Sequence, residues 1–403
     1  MKKKHILVVS QYFYPEQFRV NDICEQWVKD GYKVTVLTGI PNYPQGDFYD
    51  GYGMSKKRKE IWKGINIIRI PITPRKIGKI KLALNYFSFV VSGLFWSLFT
   101  KLKADVVFIY EVSPMTQALP GVWYAKRKKI PCYLYVMDLW PENVESVLGI
   151  HNKTILGSIG VLVDYIYKRC DKIFTSSESF IEKINKRGVK EEKLEFWPQY
   201  AEEFYKKYEE KFECEIPQDG ILNLTFAGNI GYAQGLDVLV KSATILKEKQ
   251  EMVRFNIIGD GRYKEEFMRN VNKKGLSEYF NFINKKPATD ISKYLSCSDV
   301  ALITLSKSDV FAMTIPAKMQ SCMACGIPII GALDGEAQKI IKESKCGFCG
   351  DSENEEQLVK NILMFKNLSK EERNEHADNA LIYYKNNYDK FMLMNKINKF
   401  INE

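Results

Sequence analysis

The chain has 403 residues, too many for one ordinary domain and suited to two of about 200 residues each. A hydrophobic share of 45% excludes whole-chain disorder, and 25 Gly with 14 Pro exclude collagen-like or low-complexity architecture. The net charge of +10 is uneven: residues 1–200 carry 31 Lys and Arg against 19 Asp and Glu, and residues 201–403 carry 28 against 30. Within residues 56–103 there are twelve basic residues and one acid, Glu60. Such a concentration suits an anionic partner: phosphorylated substrate, membrane surface or nucleic acid.

In chain order, strands are predicted at 5–9, 33–38, 66–70, 105–110, 131–137 and 172–176. A second series follows at 221–227, 253–258, 280–283, 300–305 and 327–332. These runs are rich in Val, Ile and Phe without clean alternation, as expected of parallel strands covered on both faces. Helices are predicted between them at 20–30, 113–129, 154–169, 178–187, 236–249, 262–274, 317–325 and 335–344. Two β-α-β series in succession predict an α/β protein of two Rossmann-like, doubly wound domains. The expected division is 1–198 for the first domain, 199–220 for a linker and 221–384 for the second. The helical tail either caps the second domain or crosses back, its helix 385–403 then completing the first.

The apolar stretch after the basic start, Ile6–Val9, is too short for a signal peptide and reads as a buried strand. Nine cysteines, an odd number mostly in apolar runs, point to reduced thiols and a cytoplasmic location. Cys322, Cys325, Cys346 and Cys349 have zinc-ribbon spacing, but a helix and a strand separate the pairs, and buried small hydrophobes explain them as well. No metal site is expected. Three histidines, His5, His151 and His376, lie away from the expected strand ends, which disfavours a Ser-His-Asp system. There is neither an Asp-x-Asp pair nor a dinucleotide fingerprint.

Ligands of doubly wound sheets bind beyond the carboxyl ends of the strands. One such loop carries Gly228, Asn229, Gly231, Gln234 and Gly235 and opens a helix whose free amides suit phosphate. A second carries Gly259, Asp260, Gly261 and Arg262. A third, Met313-Thr314-Ile315-Pro316-Ala317-Lys318, starts a helix at Pro316 that ends at Gly326. Lys318 then stands in a first turn, where the helix dipole disfavours a cation by about 0.3–1 kcal/mol unless an anion is bound there. In the first half, Tyr14, Arg19, Glu111, Asp138 and Glu142 are the candidates to position a polar, sugar-like acceptor.

Residues 79–103 form a nearly all-apolar helix with a thin stripe of Lys81, Asn85, Ser88 and Ser92. It is slightly short for a span and would break the first sheet if it crossed a bilayer. Two readings are open, a buried helix or one lying with its aromatic face in lipid beneath a lysine collar. The twelve-to-one basic excess favours lipid.

Gly228-Asn-Ile-Gly-Tyr-Ala-Gln-Gly-Leu236, Asp138-Leu-Trp-Pro-Glu142 and the run from Pro316 to Pro328 resemble bacterial glycosyltransferases of family 4, nearest the subgroup that builds O-antigen and capsule units. The resemblance implies a GT-B fold, two Rossmann-like domains facing across a cleft. The second would hold the nucleotide sugar through Gly228, Asn229, Gly231, Gln234, Gly259 to Arg262, Met313 to Lys318 and Ser321. The first would hold the acceptor, with Lys318 and Asp138 as the catalytic candidates. It implies retaining, metal-independent transfer of a sugar, an N-acetylated deoxyhexose or hexosamine, from a nucleoside-diphosphate donor, UDP-linked foremost, to a lipid-linked saccharide. The enzyme would sit on the inner face of the plasma membrane through residues 56–103 and bind no nucleic acid. No cofactor beyond the donor substrate is implied. Asn229 and Gln234 stand where the family often has Arg and Lys, and Met313 and Ser321 where it has a Glu pair. No general base is assigned. A GT-B nucleotide-sugar 2-epimerase and a silent membrane-bound scaffold remain alternatives.

Overall fold

The computed structural model of the chain describes residues 3–208 and 212–403. Two compact units divide it: residues 1–197 with 394–403, and residues 198–393.

The first unit holds strands β1 (His5–Val9), β2 (Lys33–Thr38), β3 (Lys59–Trp62), β4 (Ile65–Arg69), β5 (Val106–Glu111), β6 (Cys132–Val136), β7 (Lys172–Thr175) and β8 (Leu194–Phe196). They form one sheet in the order β3-β4-β2-β1-β5-β6-β7-β8, parallel except for the β3–β4 pair at one edge. Its helices are α1 (Arg19–Lys29), α2 (Lys79–Phe99), α3 (Leu119–Lys128), α4 (Glu142–Leu148), α5 (Lys153–Arg169) and α6 (Glu178–Lys186). The central strands β1, β5 and β6 are buried at every position, which explains their unbroken apolar runs. The predicted helix 113–129 is shorter: a 3-10 turn, Met115–Ala118, precedes α3, and Pro120 sits in the first turn of the helix, where it needs no donor.

The second unit holds β9 (Asn223–Asn229), β10 (Arg254–Asp260), β11 (Phe280–Ile283), β12 (Val300–Thr304), β13 (Ile329–Ala332) and β14 (Gly347–Gly350), all parallel, in the order β11-β10-β9-β12-β13-β14. Its helices run α7 (Asp237–Glu248), α8 (Lys264–Lys273), α9 (Ala288–Ser296), α10 (Asp309–Ala312), α11 (Ala317–Ala324), α12 (Gly335–Ser344), α13 (Glu355–Lys366) and α14 (Lys370–Asn387). The sheet reverses direction between β9 and β12, so β9 and β12 flank the topological switch point. One core gathers Leu224, Phe226, Leu239, Phe255, Phe267, Leu302, Ile330 and Phe365.

The last helix, α15 (Lys390–Asn402), delivers residues 394–403 to the first unit. There the Trp27 indole N–H donates to Asn398 Oδ1 at 3.0 Å, the Tyr133 hydroxyl donates to the Phe400 carbonyl at 2.8 Å and Lys396 Nζ to the Phe196 carbonyl at 2.8 Å.

Helix α2 has the reverse of ordinary amphipathicity. Its buried positions are Asn85, Phe89, Gly93 and Ser97, and its polar stripe faces protein. Asn85 Nδ2 donates to the Thr73 carbonyl at 2.6 Å, the Thr73 N–H donates to Ser88 Oγ at 2.9 Å and Ser92 Oγ to the Pro71 carbonyl at 2.6 Å. The side facing away from the sheet is apolar: Leu84, Phe87, Leu94, Phe95, Leu98 and Phe99 are exposed, Phe87 by 66% and Phe95 by 58%. The helix is long and apolar enough to cross a membrane, yet little of it is buried in protein. Its seat is tight at one point, where a Cβ on Gly93 would lie 2.2 Å from Pro120 Cγ. Gly93→Val is expected to cost about 1–3 kcal/mol in urea unfolding, because a proline ring cannot yield.

Candidate active site

In the second unit, three loops meet around one amine. Lys318, in the first turn of α11, lies with Nζ 4.0 Å from the centroid of the Phe226 ring and donates to Gln234 Oε1. A Cβ on Gly228 would come 3.8 Å from that Nζ. Burial pulls the Lys318 amine down to about 7. No acidic residue lies in the first turn of α11, and no side chain caps its amides. The site thus sets a poorly solvated amine beside uncapped amide dipoles, an arrangement completed by an anion.

The glycine loops are held firmly. Thr304 Oγ1, at the end of β12, donates to the Gln234 carbonyl at 2.6 Å, and Ser306 Oγ donates to the Tyr232 carbonyl at 2.7 Å. Gly259 and Gly228 are paired across β10 and β9, and a Cβ at Gly259 would stand 1.9 Å from the Gly228 carbonyl oxygen, so only glycine lets the two strand ends pass. The Ile230 N–H donates to the Asp260 carbonyl at 2.8 Å, and Asp260 Oδ1 accepts from the Gly261 N–H. Gly228, Asn229, Asp260 and Arg262 are exposed, while Gly231, Gln234 and Gly261 are partly covered.

The remaining third-loop residues divide. Met313 and Thr314 are partly exposed, whereas Ile315 is buried and Pro316 is the residue capping α11. Ala317 opens that helix. Thr314 Oγ1 donates to the Val310 carbonyl at 2.8 Å. Ser321 is buried and its hydroxyl donates to the Ala317 carbonyl at 3.3 Å, so its hydrogen is spent within the helix. Cys322 stands on α11 and Cys325 caps its end, while Cys346 lies before β14 and Cys349 on it. Among the described residues no group of three or more His, Cys, Asp or Glu converges on a metal position.

In the first unit, Asp138 follows β6 and its Oδ2 accepts the Ser113 N–H at 2.7 Å; the Trp140 indole donates to Ser113 Oγ at 3.1 Å. Glu111, the last residue of β5, is completely buried, and neither carboxylate oxygen has a well-formed hydrogen bond. Burial, and then the Asp138 charge, push its carboxyl well above the usual range. The unpaired buried hydroxyls of Tyr135, Tyr167 and Thr175 belong to the neighbouring elements β6, α5 and β7, and Glu142 Oε2 is unpaired as well. Glu111 therefore sits beneath the site rather than on its surface, where burial favours its neutral form. Since a neutral acid in the fold binds a proton that the unfolded chain has released, stability falls as pH rises above the ordinary Glu range. Glu111→Gln is expected to flatten that decline and to leave the melting temperature at pH 7 unchanged or higher, as followed by calorimetry across pH 5–8.

Tyr14 stacks on Trp62 with centroids 4.4 Å apart and lends its carbonyl to Arg69 Nη2 at 2.7 Å. Arg19 begins α1 and is partly buried. Sequence reasoning passed over Glu16, although it organises this end of the sheet. Its buried carboxylate accepts the N–H groups of Phe13 at 3.2 Å, Asn42 at 2.8 Å and Tyr43 at 2.6 Å, joining the loops after β1 and β2. Burial raises it to about 7 against those amides. A lone Glu in an aromatic loop offered no pattern from which that role follows.

Two parallel sheets, each with its ligand-type loops at strand carboxyl ends, and a lysine held among glycines define the class. The Glycosyltransferase Family 4 profile matches residues 18–199 and that of Glycosyl transferases group 1 matches residues 208–381. The chain belongs to these glycosyltransferases and is a transferase enzyme. It is 24% identical over 321 residues, 76% of each chain, to an Escherichia coli K12 protein provisionally named colanic acid biosynthesis glycosyl transferase WcaI. Among solved structures it resembles the sucrose-phosphate synthase of Thermosynechococcus elongatus, with a TM-score of 0.75, 13% identity, and 99% and 98% of the two chains covered. It also resembles Anabaena HepE, solved in complex with UDP and glucose, with a TM-score of 0.71, 13% identity and 99% of each chain covered. The fold is GT-B.

Proposed function

We propose that this glycosyltransferase moves a sugar, an N-acetylated deoxyhexose or hexosamine, from a UDP-sugar to a lipid-linked saccharide during surface polysaccharide synthesis. It would do so with retention and without a metal. The observation that carries the donor half is Lys318 set against Gly228, Phe226 and the uncapped start of α11. A diphosphate there would find a cation and amide dipoles already in place, the usual means of stabilising charge that develops on a leaving group. The bond from the sugar's anomeric carbon to the β-phosphate oxygen breaks and one to the acceptor oxygen forms. The acceptor's proton passes to the departing phosphate, with Asp138 orienting the hydroxyl. HepE's UDP and the WcaI name support the donor and the pathway class.

The acceptor's lipid and a peripheral seat on the inner face of the plasma membrane are read from α2. A face of exposed Phe and Leu, with exposed Lys76, Lys79, Lys81, Lys101 and Lys103 around it, suits burial in the headgroup region of an anionic leaflet. The test is a screen of UDP-sugars with purified protein and a prenyl-diphosphate saccharide, reading UDP release and product anomer by NMR, with and without chelator. Transfer with the donor's anomeric configuration, unaffected by chelator, is the expected result. Inversion, or epimerised donor formed without acceptor, would overturn it.

A further inference from the structure

Arg75 is the residue on which the first unit's unexplained features converge. It lies in the irregular stretch between β4 and α2 that the polar stripe of α2 holds in place. Its own N–H donates to Asn42 Oδ1 at 3.1 Å, its Nη1 donates to the Tyr12 hydroxyl at 3.2 Å and its guanidinium lies over the Tyr43 ring, 5.0 Å from the centroid. Among the described residues it is paired with no carboxylate, unlike Arg69, which reaches Glu60, or Arg187, which reaches Asp164. A guanidinium has five N–H donors, and in this half-buried place one is used on a phenol.

The surroundings are built and rigid. Tyr12 is buried, stacks on Phe18 with centroids 5.2 Å apart and meets Tyr43 at 5.5 Å. Glu16 fixes Asn42 and Tyr43 through their amides, and Gln11 Nε2 fixes Asn85 of α2 at 2.7 Å. Tyr86 of α2 feels the charges of both Arg75 and Asp138. Its hydroxyl is raised by burial first; the Arg75 charge and a bond with Tyr12 lower it, and the Asp138 charge raises it.

We infer that Arg75, with the Tyr12 hydroxyl, forms the site beside α2 for the diphosphate of a prenyl-diphosphate-linked acceptor. An arginine fork pairs with phosphate oxygens through two parallel N–H bonds, which a lysine cannot do. The outward apolar face of the same helix continues from this point, so a prenyl chain leaving the diphosphate meets hydrocarbon or lipid at once. The inference rests on the lipid-linked reading of the acceptor and adds the residues that recognise its phosphates.

The experiment uses the full chain and binding alone. Farnesyl diphosphate, farnesol, inorganic pyrophosphate and UDP are titrated by calorimetry into the native protein, Arg75→Gln and Arg75→Lys. Hydrogen exchange of residues 73–82 is followed in the native protein. Farnesyl diphosphate is expected to bind and to slow exchange in that segment. Arg75→Gln should weaken it about 10- to 100-fold, and Arg75→Lys should recover only part of the loss. Farnesol should bind weakly and ignore the substitutions, and UDP should bind all three proteins alike without protecting 73–82. Equal binding of farnesol and farnesyl diphosphate, an unaffected Arg75→Gln, or protection of 73–82 by UDP would each overturn the site. Pyrophosphate binding as tightly as farnesyl diphosphate would make it a site for free anions and overturn the acceptor assignment. Exchange in the native protein decides the matter even where a substitution disturbs folding. Farnesyl diphosphate held at Arg75 by a protein that turns over no UDP-sugar would defeat the transferase proposal and leave this one standing. Turnover with no role for Arg75 would do the reverse.

Discussion

Lys318→Met is expected to lower kcat/KM by about 10²–10³-fold while raising the melting temperature of the unliganded protein. The loss follows from removing the cation set against Gln234 and Phe226, where charge on a leaving diphosphate would be stabilised. The gain follows from the amine's own environment. Burial lowers it from 10.5 to about 7. Between those values the unfolded chain holds a proton that the folded chain has released, so the residue makes stability rise with pH across that window. Below it, the fold carries a poorly solvated charge in full. Met keeps the volume and removes the charge, which should flatten the slope and stabilise the empty protein most at acid and neutral pH. UDP binding gives the converse. A diphosphate draws the proton back, so above pH 7 native protein should take up a proton on binding UDP and lose affinity as pH rises. Calorimetry in buffers of different ionisation heat reads the uptake directly. A Met variant that keeps the same uptake would place the titrating group elsewhere.

The second large effect concerns lipid. Phe87→Glu with Phe95→Glu is expected to reduce binding to vesicles rich in anionic lipid by at least about 100-fold, since each aromatic side chain entering a bilayer contributes about 1.5–3 kcal/mol. Both positions are exposed, so the melting temperature should not move. Replacing Lys79, Lys81, Lys101 and Lys103 by Gln should weaken binding by about 1 kcal/mol per residue and remove most of its salt dependence. Vesicle sedimentation measures both. Vesicle binding by the double Glu variant equal to that of the native protein would mean that this face meets something other than lipid.

Most of the fold was legible because strands buried on both faces leave continuous apolar runs. β1, β2, β4, β5, β6 and β7, and β9 to β13, were all predicted within two residues at each end. The missed strands lack that signature. β3 is an edge strand reading Lys-Glu-Ile-Trp inside the basic stretch, and β14 reads Gly-Phe-Cys-Gly, with too little side chain to show a pattern. Helices α9 and α13 were passed over because polar residues interrupt their apolar positions. The loops proposed to hold the donor drew notice through glycine and through the charge of Lys318 at a helix start. Glu111 could be seen to end a strand, but not to be sealed from solvent, since burial depends on what the fold brings against it. Arg75 was hidden for the same reason: an isolated cation in an irregular stretch has no periodicity, and its meaning comes from Tyr12, Asn42 and Tyr43, brought to it by the fold.

Residues 394–403 carry a consequence for biosynthesis. A ribosome completes the first 197 residues long before it makes the helix that supplies partners to Trp27, Tyr133 and Phe196. The nascent first unit must wait through the translation of nearly two hundred further residues with those groups unmatched, so its last folding step follows the synthesis of the whole second unit. Hybrid enzymes that exchange the second unit between relatives must therefore be spliced at two joints, one near Trp197 and one near Met394, so that the first unit keeps residues 394–403.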